Sequence, residues 1–273
     1  WLDKKWVHWP HTATAQLTRG PRYTGWQRVQ SWWLPLALFG LWQVAVELQW
    51  VDPQILLSPL TVLQSTWHGW ADGSLLTALS LSLKRTLGGL LLGGSLGFGV
   101  GVLLGLSPFC ERLLGPSLSA LRQIAIFAWV PLLTAWFGLG ELSKGVFVAL
   151  AAFFPLFIAT QRSVSHLSPQ LREAALVMRL NLWQRLRLLV LPGAAPGIFA
   201  GLRLSLIYAW LGTIGAEYFM PSNGGIGSLM IGAQQLLRMD TLFSGMLLVG
   251  VTGAALNLIG QMIETRATRW RHA

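Results

Sequence analysis

Long apolar segments are the feature that most constrains the fold of this sequence. Several of them approach or exceed the roughly 20 residues that a helix needs to cross a bilayer. Hydrophobic residues make up 53% of the 273 positions and charged residues only 11%, whereas a soluble domain carries roughly 25% charged residues. We therefore predict an all-α polytopic membrane protein.

Six of the apolar segments are predicted to be membrane-spanning helices. The second contains glycines at four-residue intervals from Gly89 to Gly105, a spacing that lets a neighbouring helix approach closely. It also contains Lys84 and Arg85 some ten residues from its start, where an ionisable side chain either serves function or reaches out to the interface. The predicted spans are residues 31–50, 75–106, 117–137, 145–160, 195–215 and 242–263.

The basic residues predict the orientation of these spans. With both termini in the cytoplasm, fourteen of the 20 lysines and arginines lie on the cytoplasmic side and only Lys144 and Arg238 lie outside, which is the usual bias of membrane proteins. This topology accounts for the net charge of +10 without nucleic acid. The predicted parts are a basic cytoplasmic segment (1–30), the first span (31–53), an external loop with a short helix (54–74), a transmembrane core (75–264) with a cytoplasmic loop (163–192), and a basic cytoplasmic tail (265–273).

The cytoplasmic loop contains an amphipathic stretch, residues 171–192. Its apolar residues recur at intervals of three or four, which lines one face of a helix, while four arginines and Glu173 fall mostly elsewhere. A polar helical segment between membrane spans must lie outside the hydrocarbon. We therefore expect it to contact a soluble partner, and we expect Leu191-Pro192 to close it.

The phosphate-binding and zinc-protease motifs are absent from the sequence. It has no G-x-x-x-x-G-K-[ST] phosphate loop and no H-E-x-x-H. The single cysteine, Cys110, and the scattered histidines give no metal-ligand spacing. A transport bundle with a docking element remains, with a secondary transporter or channel and an intramembrane enzyme as alternatives.

Several motifs resemble one family. Glu173-Ala174-Ala175, followed sixteen residues later by Leu191-Pro192, resembles the "EAA" loop of type I ABC-importer permeases. The resemblance extends over about residues 33–266 and is greatest to the sulfonate, taurine and nitrate permeases. The motifs that carry it are LSLKRTLGGLLLG, LRQIAIFAWVPLLTAWFGLGELSK, FFPLF, LPGAAPGIFAGLR, the pair Ala216-Glu217, and GGIG.

The resemblance implies a permease subunit in the bacterial inner membrane. Two copies would form the pore, two ATPase subunits would bind ATP and Mg²⁺ beneath it, and an external binding protein would deliver the solute. The chain itself would be neither an enzyme nor a cofactor binder. Aliphatic sulfonate is the favoured solute, with nitrate, bicarbonate, taurine and vitamin precursors left open. The residues expected to couple the chain to the ATPase are Glu173, Ala174, Ala175, Leu176, Met178, Arg179, Leu180, Asn181, Leu182, Trp183 and Arg185.

Two positions depart from the family pattern. Arg179 stands where the family usually has a glycine, and we predict that the turn falls near Asn181 instead, where Gln184 completes a capping box. Ala125 stands where a proline is common, which weakens the expectation of a kink there. Pro131 and Pro155 predict a kink in the third span and an interruption in the fourth.

Four residues are candidates for the translocation path: Arg122, Trp129, Arg203 and Glu217. A guanidinium suits an anionic solute, but both arginines are also expected to pair with carbonyl groups or with Glu217 inside the bundle. Trp129 is expected either to pack or to gate the pore. Glu217 is placed at the start of an external loop (217–240) that contains a short helix.

Overall fold

The computed structural model describes residues 33–48, 50, 56–167, 177–178, 181–221 and 224–269, which form helices and turns with no β-strand among them. The chain divides into two compact units, residues 1–59 and residues 60–273. The helices are α1 (Trp33–Glu47), α2 (Pro59–Ala71), α3 (Ser74–Leu106), α4 (Pro108–Gln123), α5 (Trp129–Phe137), α6 (Glu141–Ser165), α7 (Leu182–Arg185), α8 (Leu191–Phe219), α9 (Ile226–Gln235) and α10 (Met239–Ala267).

Within the described ranges, four helices are long and apolar enough to cross a membrane. They are α3, α6, α10 and a continuous helix, Trp183–Phe219, that includes α8, and they confirm helices at the predicted second, fourth, fifth and sixth spans. Helix α1 has 15 residues, about 22 Å at 1.5 Å per residue, which is less than the thickness of the hydrocarbon layer. The total of six spans and their orientation therefore stay predictions.

The prediction of one helix over 117–137 is wrong. Helix α4 already begins at Pro108, where Ser107 accepts a hydrogen bond from the N–H of Cys110 (3.3 Å) and proline occupies the first helical position. It ends at Gln123, and the next helical piece is bent away from it by 88°.

The bend between α4 and α5 lies at Ile124 and Ala125, both in extended backbone conformations. The sequence predicts that a kink is less expected here because alanine replaces the usual proline, and this prediction is wrong. Pro131 is the third residue of α5 and does not kink a helix interior. The bend brings Ile126 and Trp129 against the buried cluster around Phe147, so apolar burial determines the path of the chain here.

Helix α6 is longer than predicted, because it begins at Glu141 and runs through Pro155 without interruption. The expected turn at 138–144 is consequently shorter, and Lys144 lies inside the helix instead of in that turn. Gly138, with φ of 75°, ends the preceding helix. A carboxylate at Glu141 then suits the N-terminal end of α6.

The predicted close helix contact is confirmed between α3 and α6. A Cβ atom added at Gly97 would lie 2.5 Å from the carbonyl oxygen of Phe153, and one added at Gly101 would lie 2.8 Å from that of Phe157. Gly105, further along α3, meets Val164 of α6 in the same way. Because the contacts advance in the same direction along both helices, α3 and α6 run parallel.

Helix α8 packs on another side of α6 and runs antiparallel to it. Gly201 of α8 faces Ala159 and Gly212 faces Ala151, so the later residue of α8 meets the earlier residue of α6. Helix α10 in turn packs on α8, where the indole N–H of Trp210 donates to the carbonyl of Val249 (3.2 Å). Helix α6 is therefore the centre of the second unit.

The turn between α2 and α3 is short and locally capped. The Asp72 carboxylate accepts a hydrogen bond from the backbone N–H of Ser74 (2.8 Å), which lowers the pKa of Asp72 below its ordinary value. Gly73 has a φ of 79°, a conformation that favours glycine. The predicted short helix near 61–70 is confirmed as α2.

Candidate functional site

The described part of the amphipathic stretch begins a helix where the sequence predicts one. Asn181 lies outside a helix and Leu182 is the first residue of α7. The side-chain oxygen of Gln184 accepts a hydrogen bond from the backbone N–H of Asn181 (3.0 Å), which is one half of a capping box. The predicted start at Asn181 is therefore confirmed. The predicted coupling residues Glu173, Ala174, Ala175, Leu176, Arg179 and Leu180 lie outside the described residues.

Four large apolar side chains within α7 or close to it along the chain are exposed. Val177 is 83% exposed, Met178 60% and Trp183 68%, and Leu188 beyond α7 is also exposed. We call these four residues the docking surface. Because the amphipathic pattern predicts that this stretch lies outside the hydrocarbon, we interpret these exposed apolar side chains as a site that a partner covers.

The expected closure of the stretch at Leu191-Pro192 is wrong. A π-helical segment, Leu186–Val190, follows α7 and leads directly into α8. Pro192 is the second residue of α8, so it lies inside a longer helix and does not end one. One continuous helix therefore connects Trp183 and Leu188 of the docking surface to the bundle.

Glu217 is fully buried inside the bundle near the end of α8, and not in a loop. Its carboxylate accepts hydrogen bonds from Ser82 (2.8 Å), Arg85 (2.7 Å) and the backbone N–H of Gly227 (2.9 Å). A buried carboxylate requires such partners. Glu217 thus joins α3, α8 and the start of α9.

Arg85 is the centre of this ion cluster. Its guanidinium donates two further hydrogen bonds to Glu141 (2.6 and 2.7 Å) and one to the carbonyl of Gly224 (2.9 Å). Glu141 is 60% exposed, whereas the side chain of Arg85 is 9% exposed. The side chain of Arg85 is therefore directed towards carboxylates of α6 and α8. Lys84 is exposed.

Lys144 adds a second cation to the cluster, and the sequence prediction misplaced it. It is fully buried, and its Nζ has no hydrogen-bond partner. It lies three residues after Glu141 on α6, within electrostatic range of Glu141 and Glu217. The signal that indicates this cluster in the sequence is the presence of charged residues near the ends of apolar spans.

Arg203 does not pair with Glu217. Its guanidinium donates to Asn257 (2.9 Å) and forms an ion pair with Glu264 (3.4 Å), both on α10. The expected pairing with Glu217 is therefore wrong, because fourteen residues of α8, about 21 Å along its axis, separate Arg203 from Glu217, and Arg85 occupies the carboxylate of Glu217. Arg203 is a link between α8 and α10.

Arg122 and Trp129 do come together, in a groove of about 750 Å³ formed where α4 bends into α5. Arg162 of α6 also lines it, together with apolar residues of α6 and α8 that include Phe154, Pro155, Ile158, Leu204, Tyr208 and Leu211. Two of the four predicted path residues thus share one groove, and Arg203 and Glu217 are not part of it. Within the described ranges no group of three metal-ligating side chains occurs.

Residues 89–270 match the family model described as the inner membrane component of binding-protein-dependent transport systems. The chain belongs to this family. It is a multi-pass inner-membrane permease subunit of an ABC importer, as the EAA motif predicts. Subunits of this kind are not themselves enzymes, and partner subunits hydrolyse the ATP.

Curated relatives place this permease in the sulfonate, taurine and nitrate group. It is 35% identical over 240 residues to a putative aliphatic sulfonates transport permease of Bacillus subtilis, covering 88% of this chain and 87% of the relative. It is 35% identical over 246 residues to the corresponding Escherichia coli protein, covering 90% and 93%. A taurine transport system permease of Escherichia coli is 29% identical over 238 residues, covering 85% and 86%.

Proposed function

We propose that two copies of this permease form the pore of an ATP-driven importer for a small anionic solute, with aliphatic sulfonate as the first candidate. Two ATPase subunits bind the cytoplasmic loop, and an external binding protein delivers the solute. The permease has six spans, and both of its termini lie in the cytoplasm. ATP and Mg²⁺ are held by the ATPase subunits.

The observation that carries this proposal is the docking surface and its direct connection to the bundle. Trp183 is 68% exposed on a helix that continues without a break to Phe219. A partner that binds this surface is therefore joined to α8 through the same helix. In the proposal the predicted coupling residues Glu173 to Arg185 form the contact with the ATPase. The ATPase drives this chain by mechanical force, so that the chain does not need to bind ATP itself.

The groove between α4, α5 and α6 supports the proposal that the solute is anionic. Arg122 and Arg162 line it, and the described carboxylates do not. Arginine binds sulfonate-like and carboxylate oxygens through a planar fork of N–H donors. We therefore assign Arg122 and Trp129 to the translocation path, and we leave Arg203 and Glu217 as structural residues.

The experiment is co-purification followed by transport. The permease, its ATPase subunit and its binding protein are reconstituted in liposomes, and uptake of an aliphatic sulfonate is compared with uptake of taurine, nitrate and bicarbonate. We expect uptake only with ATP and the binding protein. Uptake without ATP would instead show a secondary transporter or channel, and a permease that binds no ATPase subunit would contradict the docking assignment.

Variants of the coupling loop separate docking from folding. Glu173→Ala, or insertion of a glycine at Arg179, should leave the permease folded but uncouple uptake from ATP hydrolysis. Trp183→Ala should weaken co-purification with the ATPase subunit, because it removes a large exposed apolar contact. Phe109→Ala, equally exposed at 74% on α4 and outside the coupling loop, serves as the matched control.

A further inference from the structure

The π-helical segment Leu186–Val190 lies between the docking surface and α8. Its geometry follows from the sequence, because Pro192 has no N–H to donate four residues back and its ring would clash with that carbonyl. The N–H of Leu191 instead bonds to the carbonyl of Leu186, five residues earlier. Single π turns inside α-helices occur frequently at functional sites.

One side of this segment is fixed and the other is free. Leu189 and Val190 are buried against Val164 of α6 and Ala194 of α8. Leu188 and Arg187 are exposed. The segment is therefore attached to the bundle along one side only, as a hinge requires.

A cavity of about 230 Å³ lies beside the segment. Arg185 and Glu111 both line it, although they belong to α7 and to the first turn of α4. The Nε atom of Arg185 is buried without a hydrogen-bond partner, and Glu111 accepts a 3.3 Å hydrogen bond from Gln161. The ion pairs of the described residues do not include one between Arg185 and Glu111. A buried guanidinium nitrogen and a carboxylate thus line one cavity unpaired with each other.

We propose that Leu186–Val190 is a hinge, and that its second position is fixed by an ion pair between Arg185 and Glu111 across this cavity. Conversion of the π turn to α-helix rotates α7 relative to α8 by up to about 100°, the rotation of one residue. The ring of Pro192 opposes the α-helical form, so this second position forms only under the push of the ATPase. Arg185 then crosses the cavity and meets the carboxylate of Glu111 in the bidentate geometry that arginine favours. The inference rests on the proposed function, because the ATPase supplies the push that moves α7.

Disulfide trapping tests the hinge directly. Cys110 is the only cysteine, so Cys110→Ser provides a background for the pair Glu111→Cys and Arg185→Cys. The matched control pair is Glu111→Cys with Arg187→Cys, since Arg187 belongs to the π-helical segment but does not line the cavity. The complete complex with ATPase subunits is oxidised with copper phenanthroline in the nucleotide-free and the vanadate-trapped states.

We expect the rate of cross-linking of the Glu111–Arg185 pair to differ between the two states by at least about tenfold, because the minor conformer of a two-state element is usually populated at about 10% or less. The control pair should show no such difference. Equal rates for the Glu111–Arg185 pair in both states would overturn the hinge. Co-purification of the ATPase is measured on the same samples, so that failure of docking is seen separately from failure of the hinge.

A charge exchange tests the ion pair. Glu111→Arg alone places two cations at the cavity, and ATP-dependent uptake should fall by about tenfold or more, the effect of 1.4 kcal/mol. The exchange Glu111→Arg with Arg185→Glu should restore most of this loss when uptake is normalised to the amount of ATPase that co-purifies, because Arg185 also belongs to the predicted coupling residues. An exchange variant that still binds the ATPase but is no better than Glu111→Arg alone would show that the two side chains do not pair.

Discussion

Replacement of Glu217 by glutamine should destabilise the permease far more than the same replacement at Glu264. Both carboxylates accept hydrogen bonds from an arginine across a helix interface. Glu217 is fully buried and lies 2.7 Å from Arg85, whereas Glu264 is 27% exposed and lies 3.4 Å from Arg203. The two variants thus remove one negative charge each and differ in burial and in geometry.

The structure sets the expected size of the difference. Removal of one partner of a buried ion pair costs about 3–5 kcal/mol, because the other charge remains buried and uncompensated. Arg85 keeps its two hydrogen bonds to Glu141, so we expect the Glu217→Gln cost at the lower end, about 3 kcal/mol. For the partly exposed Glu264 pair we expect less than about 1 kcal/mol.

Thermal unfolding of the detergent-solubilised permease measures this difference. A loss of 1 kcal/mol lowers the melting temperature by about 2–4 °C in a chain of about this length. Glu217→Gln should therefore lower it by about 6–12 °C and Glu264→Gln by less than about 4 °C. Equal shifts for the two variants would refute the assignment of Glu217 as the buried anchor of the cluster.

A double variant distinguishes the stability lost with a hydrogen bond from the stability lost when a buried charge has no partner. Arg85→Gln together with Glu217→Gln removes the buried Arg85–Glu217 pair, and Glu141 returns to water easily because it is 60% exposed. The double variant should be more stable than Arg85→Gln alone, which leaves the Glu217 carboxylate buried without its cation. A double variant whose loss equals the sum of the two single losses would show that the charges act independently.

Three further predictions follow from contacts at other positions. Gly97→Ala should lower the melting temperature because its Cβ would meet the carbonyl of Phe153, whereas Gly99→Ala, with nothing within 4 Å, should not. Gln184→Ala should reduce ATP-dependent uptake and raise the number of ATP molecules hydrolysed per solute, with little change in melting temperature, because it removes only a cap worth about 1 kcal/mol at the start of α7. An unchanged ATP-to-solute ratio would contradict this. Arg122→Gln should raise the half-saturating concentration for uptake of an anionic solute at unchanged ATPase binding, and an equal loss for a neutral solute would exclude a charge effect.

The features that the sequence predicts well depend on local pattern. The length of the apolar segments identifies α3, α6, α8 and α10. A segment that crosses lipid must satisfy its backbone hydrogen bonds internally, and a helix does this. The four-residue glycine spacing predicts the close contact from Gly89 to Gly105 because that spacing places small residues along one side of a helix. The start of α7 at Asn181 is also predictable from local sequence, since the capping box involves two residues that are only three positions apart.

The features that the sequence predicts badly depend on distant partners. Arg85 and Glu217 are 132 positions apart, and a pattern within one span does not indicate which arginine a carboxylate will meet. Arg203 is the nearer choice along the chain, but it lies about 21 Å from Glu217 along the axis of α8 and contacts α10. The bend at Ala125 is missed because burial of Ile126 and Trp129 against α6 determines it, and local helix propensity does not.

The arrangement of these partners also bears on how force travels through the permease. The helix from Trp183 to Phe219 is about 55 Å long at 1.5 Å per residue, so it extends from the docking surface to the ion cluster. Along this length α8 packs on α6, which in turn is joined to α3 by backbone-close glycine contacts. Such contacts do not slide without steric overlap, and the cluster at Arg85 ties the far ends of the same helices together. A push on α7 therefore either moves α3, α6 and α8 as one body or is absorbed at Leu186–Val190. The π-helical segment is the place where these two outcomes separate, and the cross-linking of Glu111 to Arg185 measures which of them occurs.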